Sequence, residues 1–431
     1  MTTSRLPPIG LAIAIWAIAA IFYLSGFYLR VSPAVMTSEL MRDFSIGAGQ
    51  LGSLSAAYFY AYVLMQAPMG AFVDRWGARK VLFVGALIAA AGSLIFSLSA
   101  SLGMATFGRV IIGGSTAVAW VATLKLATHW FPARNFALIS GLSLMVGNIG
   151  ALFAQVPLRI LVESYGWRTV GVSSGAAILV IAAAAWVFVR NDPTEKGYAT
   201  YAPVQLQKTA TSVHIPMLRS FRSVFSYRNT WLIFIAQGGF LGALLSFTGL
   251  WGPPFLKTRF GISSQEAAAI TSLMTLCFAI SSPVCGYLSD KFKRRKPVYV
   301  AGAIGAAIGW SVMFYVPLSL TAFTVVAGAT SVACGAIILG FAFAKESVPV
   351  QFSGTVAGIV NGGNMLGPTL MQPLVGLLLD RQWTGAMANG ARTYGIGAFQ
   401  FAFGAVALWA VCTAVLLAFT TETHCQQRTT P

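Results

Sequence analysis

Charge is what this chain has least of. Asp, Glu, Lys and Arg together make up 9% of its 431 residues, against about 25% in an ordinary soluble domain. That is too little to coat a water-soluble fold, and 57% hydrophobic residues with a mean hydropathy of +0.74 point to a membrane protein. Carboxylates are scarcer still, 11 against 28 basic residues. All of them (39, 43, 74, 163, 192, 195, 266, 290, 346, 380 and 422) fall at helix ends or in loops. The five cysteines show no CxxC spacing, which implies neither disulfides nor a metal site. No P-loop, Rossmann fingerprint, HExxH or Ser/His/Asp arrangement is evident, so no enzyme, cofactor or metal is expected, and ATP-driven pumping would need a partner.

What is present in abundance is apolar sequence in long blocks, such as 81–100 and 169–189. Each is near the roughly 20 residues that carry a helix across hydrocarbon, whereas barrel strands are about half as long and alternate. The first block, behind Arg5, runs from Ile9 past Tyr28 to Val35. That is too long for the h-region of a signal peptide. The net charge of +17 is unevenly placed. Arg5, Arg75, Arg79, Lys80, Arg134, the 190–228 stretch, Lys291 to Lys296, Lys345 and Arg428 occupy alternate loops, and the other side holds only seven basic residues, among them Arg42, Arg159 and Lys257. By the positive-inside rule both termini are expected in the cytoplasm of an inner membrane, and basicity reports orientation, not a nucleic-acid partner.

The blocks predict twelve helices, near 10–38, 49–72, 81–100, 104–130, 136–161 and 169–190, then 229–256, 266–288, 297–316, 321–344, 353–379 and 397–420. The expected organisation is an N-terminal six-helix bundle over 1–190, a polar cytoplasmic linker over 191–228 with Pro193, Pro203 and Pro216, and a C-terminal bundle with a short tail over 229–431. The two sets match at a nearly fixed offset. Phe44, Ile46, Gly70 and Asp74 correspond to Phe260, Ile262, Gly286 and Asp290 (290 − 74 = 216). Pro132, Gly141, Gly150 and Gln155 correspond to Pro349, Gly358, Gly367 and Gln372 (372 − 155 = 217). Such a parallel duplication predicts a substrate site near the bilayer midplane, between the halves, exposed alternately to each side by rocking.

After the second helix comes Gly70-Ala-Phe-Val-Asp74-Arg75-Trp-Gly77-Ala-Arg79-Lys80, echoed after the eighth by Gly286-Tyr-Leu-Ser-Asp290-Lys291-Phe-Lys293-Arg294-Arg295. The pattern resembles the G-x-x-x-D-[RK]-x-G-x-[RK] loop motif of the major facilitator superfamily, and the resemblance spans the whole chain. It implies an all-α polytopic membrane protein with twelve transmembrane helices in two pseudo-symmetric six-helix bundles. Gly70, Asp74, Arg75, Gly77 and Arg79, with Gly286, Asp290, Lys291 and Arg294, are the expected gate. A carboxylate at a helix end can pair with guanidinium groups and the positive start of the next helix, latching one access state. Simple anchoring of the loop at the headgroups is the other reading. Ala78 and Lys293 depart from the pattern, so the second gate is expected to be less tightly built.

Three cations fall within predicted spans, where charge is costly. Arg30 lies ten residues before Leu40, where the first helix is expected to end, about 15 Å deep. Its surroundings, Phe27 to Met36, resemble the first helix of the anion:cation symporter and organophosphate:phosphate antiporter branches, and the resemblance implies that Arg30 binds the anionic group of a substrate. Arg109 opens an R-x-x-x-G element resembling theirs, with substrate contact and snorkelling both open. Lys125, in a K-x-x-x-W-F-P stretch, is expected to anchor or gate. In the symporter pattern a glutamate follows the fourth-helix arginine by seven positions; here Thr116 stands there. Carboxylate-based proton coupling is thereby weakened, and facilitated diffusion or exchange gains. The fifth helix lacks the Gly-Pro element of drug antiporters.

Tyr58 and Tyr62 share one helix face with Gln66. With Trp120, Gln155, Phe247, Trp251, Asn361, Asn364 and Gln372 they complete the expected pocket, Gln155 and Gln372 foremost because an amide in the bilayer needs partners. The reading is a transporter, working as a monomer in lipid with or without a coupling ion, of a small organic acid, sugar acid, phosphate ester, amino acid or short peptide. Uptake is expected; efflux of a siderophore, drug or metabolite, and a non-transporting sensor, are the alternatives.

Overall fold

The computed structural model describes residues 5–201, 223–349 and 352–427; Pro203, Pro216 and Arg428 lie outside them. The chain is helical almost throughout. The first repeat contains α1 (Ile9–Val31), α2 (Thr37–Phe44), α3 (Ala48–Trp76), α4 (Ala78–Ser97), α5 (Leu102–Thr116), α6 (Val118–Trp130), α7 (Phe136–Phe153), α8 (Val156–Tyr165) and α9 (Trp167–Phe188). The second contains α10 (Arg228–Ser246), α11 (Gly252–Phe260), α12 (Ser264–Phe292), α13 (Lys296–Tyr315), α14 (Leu320–Cys334), α15 (Leu339–Glu346), α16 (Ser353–Arg381) and α17 (Ile396–Ala418). A two-residue antiparallel hairpin, β1 (Met387–Ala388) and β2 (Ala391–Arg392), precedes α17.

Ten stretches among the described residues are long and apolar enough to cross a membrane. The 29-residue helices α3 and α16 complete twelve; Pro68 in α3 and Pro368 and Pro373 in α16 lie inside them. Interior prolines persist in spans because neighbouring helices and side chains satisfy the freed carbonyls. The five cysteines are all free.

Duplication is visible in the element boundaries themselves. Helices α3 and α12 both have 29 residues and start 216 apart (264 − 48). Helices α4 and α13 both have 20, and α5 and α14 both have 15. The last pair even starts alike, with Ser101 and Ser319 each accepting a hydrogen bond from the backbone N–H three residues on, which satisfies one of the orphan donors of a helix start.

Several predicted spans are broken, and the breaks also repeat. The first, expected as one helix over 10–38, passes into a 3-10 turn at Ser32–Val35, and its counterpart passes into a π-helical turn at Phe247–Trp251 (251 − 35 = 216). Pro33 explains the first break, since it has no N–H for the helical ladder. The fourth span divides at Ala117 and the tenth at Gly335–Ile338.

The described chain packs as two compact units. One comprises residues 5–30, 60–154 and 161–201, in which α4 packs on α5 and α9 through small buried residues such as Ala86, Ala89 and Ala90. Small side chains let membrane helices approach closely where lipid gives no hydrophobic drive for association. The other comprises 31–59, 155–160, 223–349 and 352–427. There α10 packs on α16 and α17, and α12 on α14. Its core is an aromatic cluster, with Phe314 stacked on Phe403 at 4.4 Å and Phe247 against Trp310 at 5.5 Å.

Candidate functional site

The break in the first span positions Arg30. The residue is 6% exposed, and its guanidinium lies over the rings of Phe27 (4.4 Å) and Tyr62 (5.1 Å). Tyr23 stands edge-on to Phe27 at 4.9 Å and meets Trp120 at 5.2 Å. Arg30, Tyr62 and Trp120, picked out by sequence, thus join Tyr23 and Phe27 in a row of rings carrying one cation. Aromatic faces stabilise a guanidinium without neutralising it.

Arg109 does not snorkel. It is 1% exposed, and its Nη1 donates to Leu29 O at 2.6 Å and its Nη2 to Arg30 O at 3.4 Å. In an unbroken helix Leu29 O would accept from the N–H of residue 33, which is proline; Arg109 supplies the missing donor. Its guanidinium thereby fixes the backbone that carries Arg30. Thr116, at the position of the symporter glutamate, is buried and donates its hydroxyl to Ile112 O of its own helix at 2.9 Å.

The amides expected in the pocket serve the counterpart break, in the other unit. Gln372 donates to Leu245 O at 3.1 Å, and Leu245 matches Leu29 at the repeat offset (245 − 29 = 216). Gln155 donates to Thr248 O at 3.4 Å and accepts from the Thr271 hydroxyl at 2.5 Å. One broken span is therefore braced by an arginine and the other by neutral amides. Trp251 donates its indole N–H to Gln372 O at 3.0 Å, Phe247 sits in the aromatic core, and Tyr58 is fully buried beside Phe59. Asn361 is half-buried; Asn364 is buried, and its Oδ1 has no hydrogen-bond partner among the described residues.

The two loop motifs differ from their sequence reading. In the first copy Asp74, its side chain 81% exposed, accepts from Lys125 Nζ at 2.9 Å, and the same Nζ donates to Val73 O at 2.8 Å. Arg79 donates to Trp186 O at 2.7 and 2.9 Å and lies over that indole, and its backbone N–H donates to Asn191 at 2.9 Å. Gly77 has φ +81° and ψ 155°, a conformation confined to glycine, and a Cβ there would meet the Asn191 side chain at 2.5 Å. Among the described residues, Arg75 and Gly70 take no part in this network.

In the second copy Lys293 replaces that glycine and adopts the left-handed conformation instead (φ 51°, ψ 35°). The expectation of a looser second gate is not met in its ion pairing. Arg295, one residue beyond the expected Arg294, donates to Asp290 at 2.5 Å, to Ser289 Oγ at 3.1 Å and to Glu346 at 2.8 Å. Burial acts to lower the Arg295 pKa, but the Glu346 and Asp290 carboxylates outweigh it and hold the guanidinium above its ordinary value. Among the described residues, Gly286 and Lys291 stand outside this network, and Arg294 enters it through its backbone, its carbonyl accepting from Ser289 Oγ at 3.0 Å. Glu422, just past α17, accepts from the backbone N–H of Arg295 (2.9 Å) and Lys296 (3.0 Å), capping α13 much as Asn191 caps α4. Sequence spacing missed Arg295, Glu346 and Glu422 as one cluster because their separations, 51 and 127 residues, follow no local period. In the first copy the post-helix segment is likewise tied down, with Asp192 accepting from Thr194 and Thr200 and meeting His129 Nδ1 at 2.7 Å.

At the opposite end of α3 the second unit holds a cavity of about 420 Å³ lined in part by Glu39, Arg42, Arg159, Lys257, Arg392 and Tyr394. Its charges are largely compensated: Arg159 pairs with Glu39 at 2.7 Å, Arg42 with Asp43 at 3.1 Å and Arg392 with Asp380 at 3.3 Å.

Comparison with known proteins agrees with this architecture. The family profile described as Major Facilitator Superfamily matches residues 11–255 and 238–431. The probable sulfoacetate transporter SauU of Cupriavidus necator is 23% identical over 416 residues, covering 90% of this chain and 93% of that protein. The probable galactarate/D-glucarate transporter GudP of Escherichia coli is 24% identical over 417 residues, covering 88% and 89%. A bacterial homologue of the human lysosomal transporter Spinster, solved in an inward-facing and unoccupied conformation, superimposes with a TM-score of 0.76 at 19% identity over 95% of this chain and 97% of that one. With twelve membrane-length helical stretches among the described residues, a duplicated loop motif and a family match over nearly its whole length, this multi-pass membrane chain belongs to the major facilitator superfamily.

Proposed function

We propose that the protein takes up a small organic anion across a bacterial-type inner membrane by alternating access, with Arg30 neutralising the carboxylate or sulfonate of the substrate. The observation that carries this reading is the buried Arg30 guanidinium held over Phe27 and Tyr62, at a helix break whose carbonyls Arg109 has already satisfied. A cation within a membrane span is costly and marks a functional site by default, and an anionic group is its natural ligand. That SauU and GudP are probable transporters of sulfoacetate and of galactarate or D-glucarate supports the same chemical class. We infer two six-helix bundles joined by a linker near 191–228, both termini in the cytoplasm, and a working monomer. Arg109 acts on the substrate through Arg30 by holding its backbone.

Coupling is a separate matter. Thr116 spends its hydroxyl on its own helix, which favours facilitated diffusion or anion exchange over a proton carried at that position.

The test is thermal stability of the purified protein against sulfonates, sugar acids, phosphate esters, amino acids and dipeptides, in wild type and Arg30→Ala. A ligand at about 100 times its Kd stabilises the fold by about 2.7 kcal/mol. One organic anion is expected to shift wild type and leave Arg30→Ala unmoved. If the variant still binds and takes up that anion like wild type, the role of Arg30 is wrong.

A further inference from the structure

We infer that Asp380 is a latch that holds one face of the transporter shut. This rests on the reading that the protein works by alternating access. Asp380 lies in the last turn of α16, in the second repeat, and its carboxylate reaches the first turn of α3, in the first repeat. Oδ1 accepts from the backbone N–H of Ala48 at 3.1 Å and Oδ2 from that of Gly49 at 2.8 Å. These are orphan donors at the positive end of a 29-residue helix, where a carboxylate is favoured.

Two further groups fasten the carboxylate. The Tyr394 hydroxyl donates to Asp380 Oδ1 at 2.6 Å and accepts from Ala48 N at 3.0 Å, and Arg392 Nη1 donates to Oδ1 at 3.3 Å. The hairpin before α17 thus closes over the junction.

Backbone contact behind the carboxylate is as close as the chain permits. A Cβ at Gly376 would stand 2.3 Å from Ala48 O, and one at Gly52 would stand 2.5 Å from Gln372 O. Helices α3 and α16 belong to different repeats, so rocking the repeats to open this face must part them and break the Asp380 bonds. At the repeat offset Asp380 matches Glu163, the carboxylate that ends the fifth span (380 − 163 = 217).

A structural cap and a latch both predict lost stability on mutation, so the test reads opening. Ser55 is fully buried on α3 and lies two turns beyond Ala48 on the same face. In a Ser55→Cys protein, the rate of modification by a membrane-impermeant maleimide reports how often α3 and α16 separate. It is measured from each side of the membrane, with the parent protein as reference for the native cysteines. Asp380→Asn is expected to raise that rate by roughly tenfold, the scale of a lost charge-assisted hydrogen bond, and Tyr394→Phe by about threefold. Gly376→Ala, which wedges the backbones apart without touching a charge, is expected to raise it as well.

Rates unchanged in all three variants overturn the latch. Should Asp380→Asn not reach the membrane, Tyr394→Phe and Gly376→Ala decide. The two ideas fail separately: faster labelling with Arg30→Ala fully active keeps the latch and removes the anion site, whereas unchanged labelling with Arg30→Ala inactive does the reverse.

Discussion

The two copies of the loop motif make an instructive pair. The copy around Asp74 keeps its glycine, yet the Asp74 side chain is 81% exposed and, among the described residues, its ion pair is with Lys125. The copy around Asp290 has lost the glycine, yet Arg295, 10% exposed at its side chain, joins Asp290 to the nearly buried Glu346. Completeness of a motif therefore says little about how strongly its charges are held. Burial decides that, because an exposed pair is screened by water while a pair shielded from it is not. The partners that shield the second copy arrive from the end of α15 and from the segment after α17.

This contrast is most easily broken at Arg295. Arg295→Ala leaves the nearly buried Glu346 without its cation and is expected to cost about 3 kcal/mol of stability, read from unfolding in detergent. A smaller loss is expected for Glu422→Gln, about 1 kcal/mol after allowing for solvent screening. Burial pushes the Glu422 pKa up, but the N–H groups of Arg295, His424, Thr423 and Lys296 outweigh it and hold the carboxyl below its ordinary value. A depressed pKa means that the stabilisation is whole above the ordinary value near 4.5 and fades as pH falls through the folded one. An acid titration should show that fade in wild type and a weaker one in Glu422→Gln; equal curves would detach the tail from the second copy. Asp192 is shifted in the same direction, with burial opposed by His129 and by Thr194 and Thr200, so the first copy has an acid-sensitive tie of its own. The smallest effect belongs to Lys125→Ala, at most about 0.5 kcal/mol for so exposed a pair. Comparable losses in Lys125→Ala and Arg295→Ala would dissolve the difference between the copies.

Much of the architecture was legible without coordinates. Twelve helices follow from apolar block length, and the offset of 216 seen in Asp74 and Asp290 recurs in the bounds of α3 and α12. The interruption of the first span was not read, although Pro33 was in view, and its counterpart has no proline within Phe247–Trp251 to announce it. Of the pocket residues, Arg30, Tyr62 and Trp120 come together, while Gln155 and Gln372 turn to carbonyls of α10 and its π-helical continuation. Sequence reasoning rightly said that such amides need partners, but it could not say which partners they take.

The sequence by itself determined that the chain crosses a membrane many times, that it is a duplication, and that a single arginine stands deep in the first span. Those properties depend on counts, lengths and periods, which a linear string carries whole. Only the tertiary structure decided that Arg109 braces the carbonyl orphaned by Pro33, that Arg295 binds Glu346, and that Asp380 caps α3. Each of these bonds joins groups 51 to 332 residues apart. Hydrogen bonds and ion pairs act over about 3 Å, so their partners are fixed by which helices pack together and not by distance along the chain.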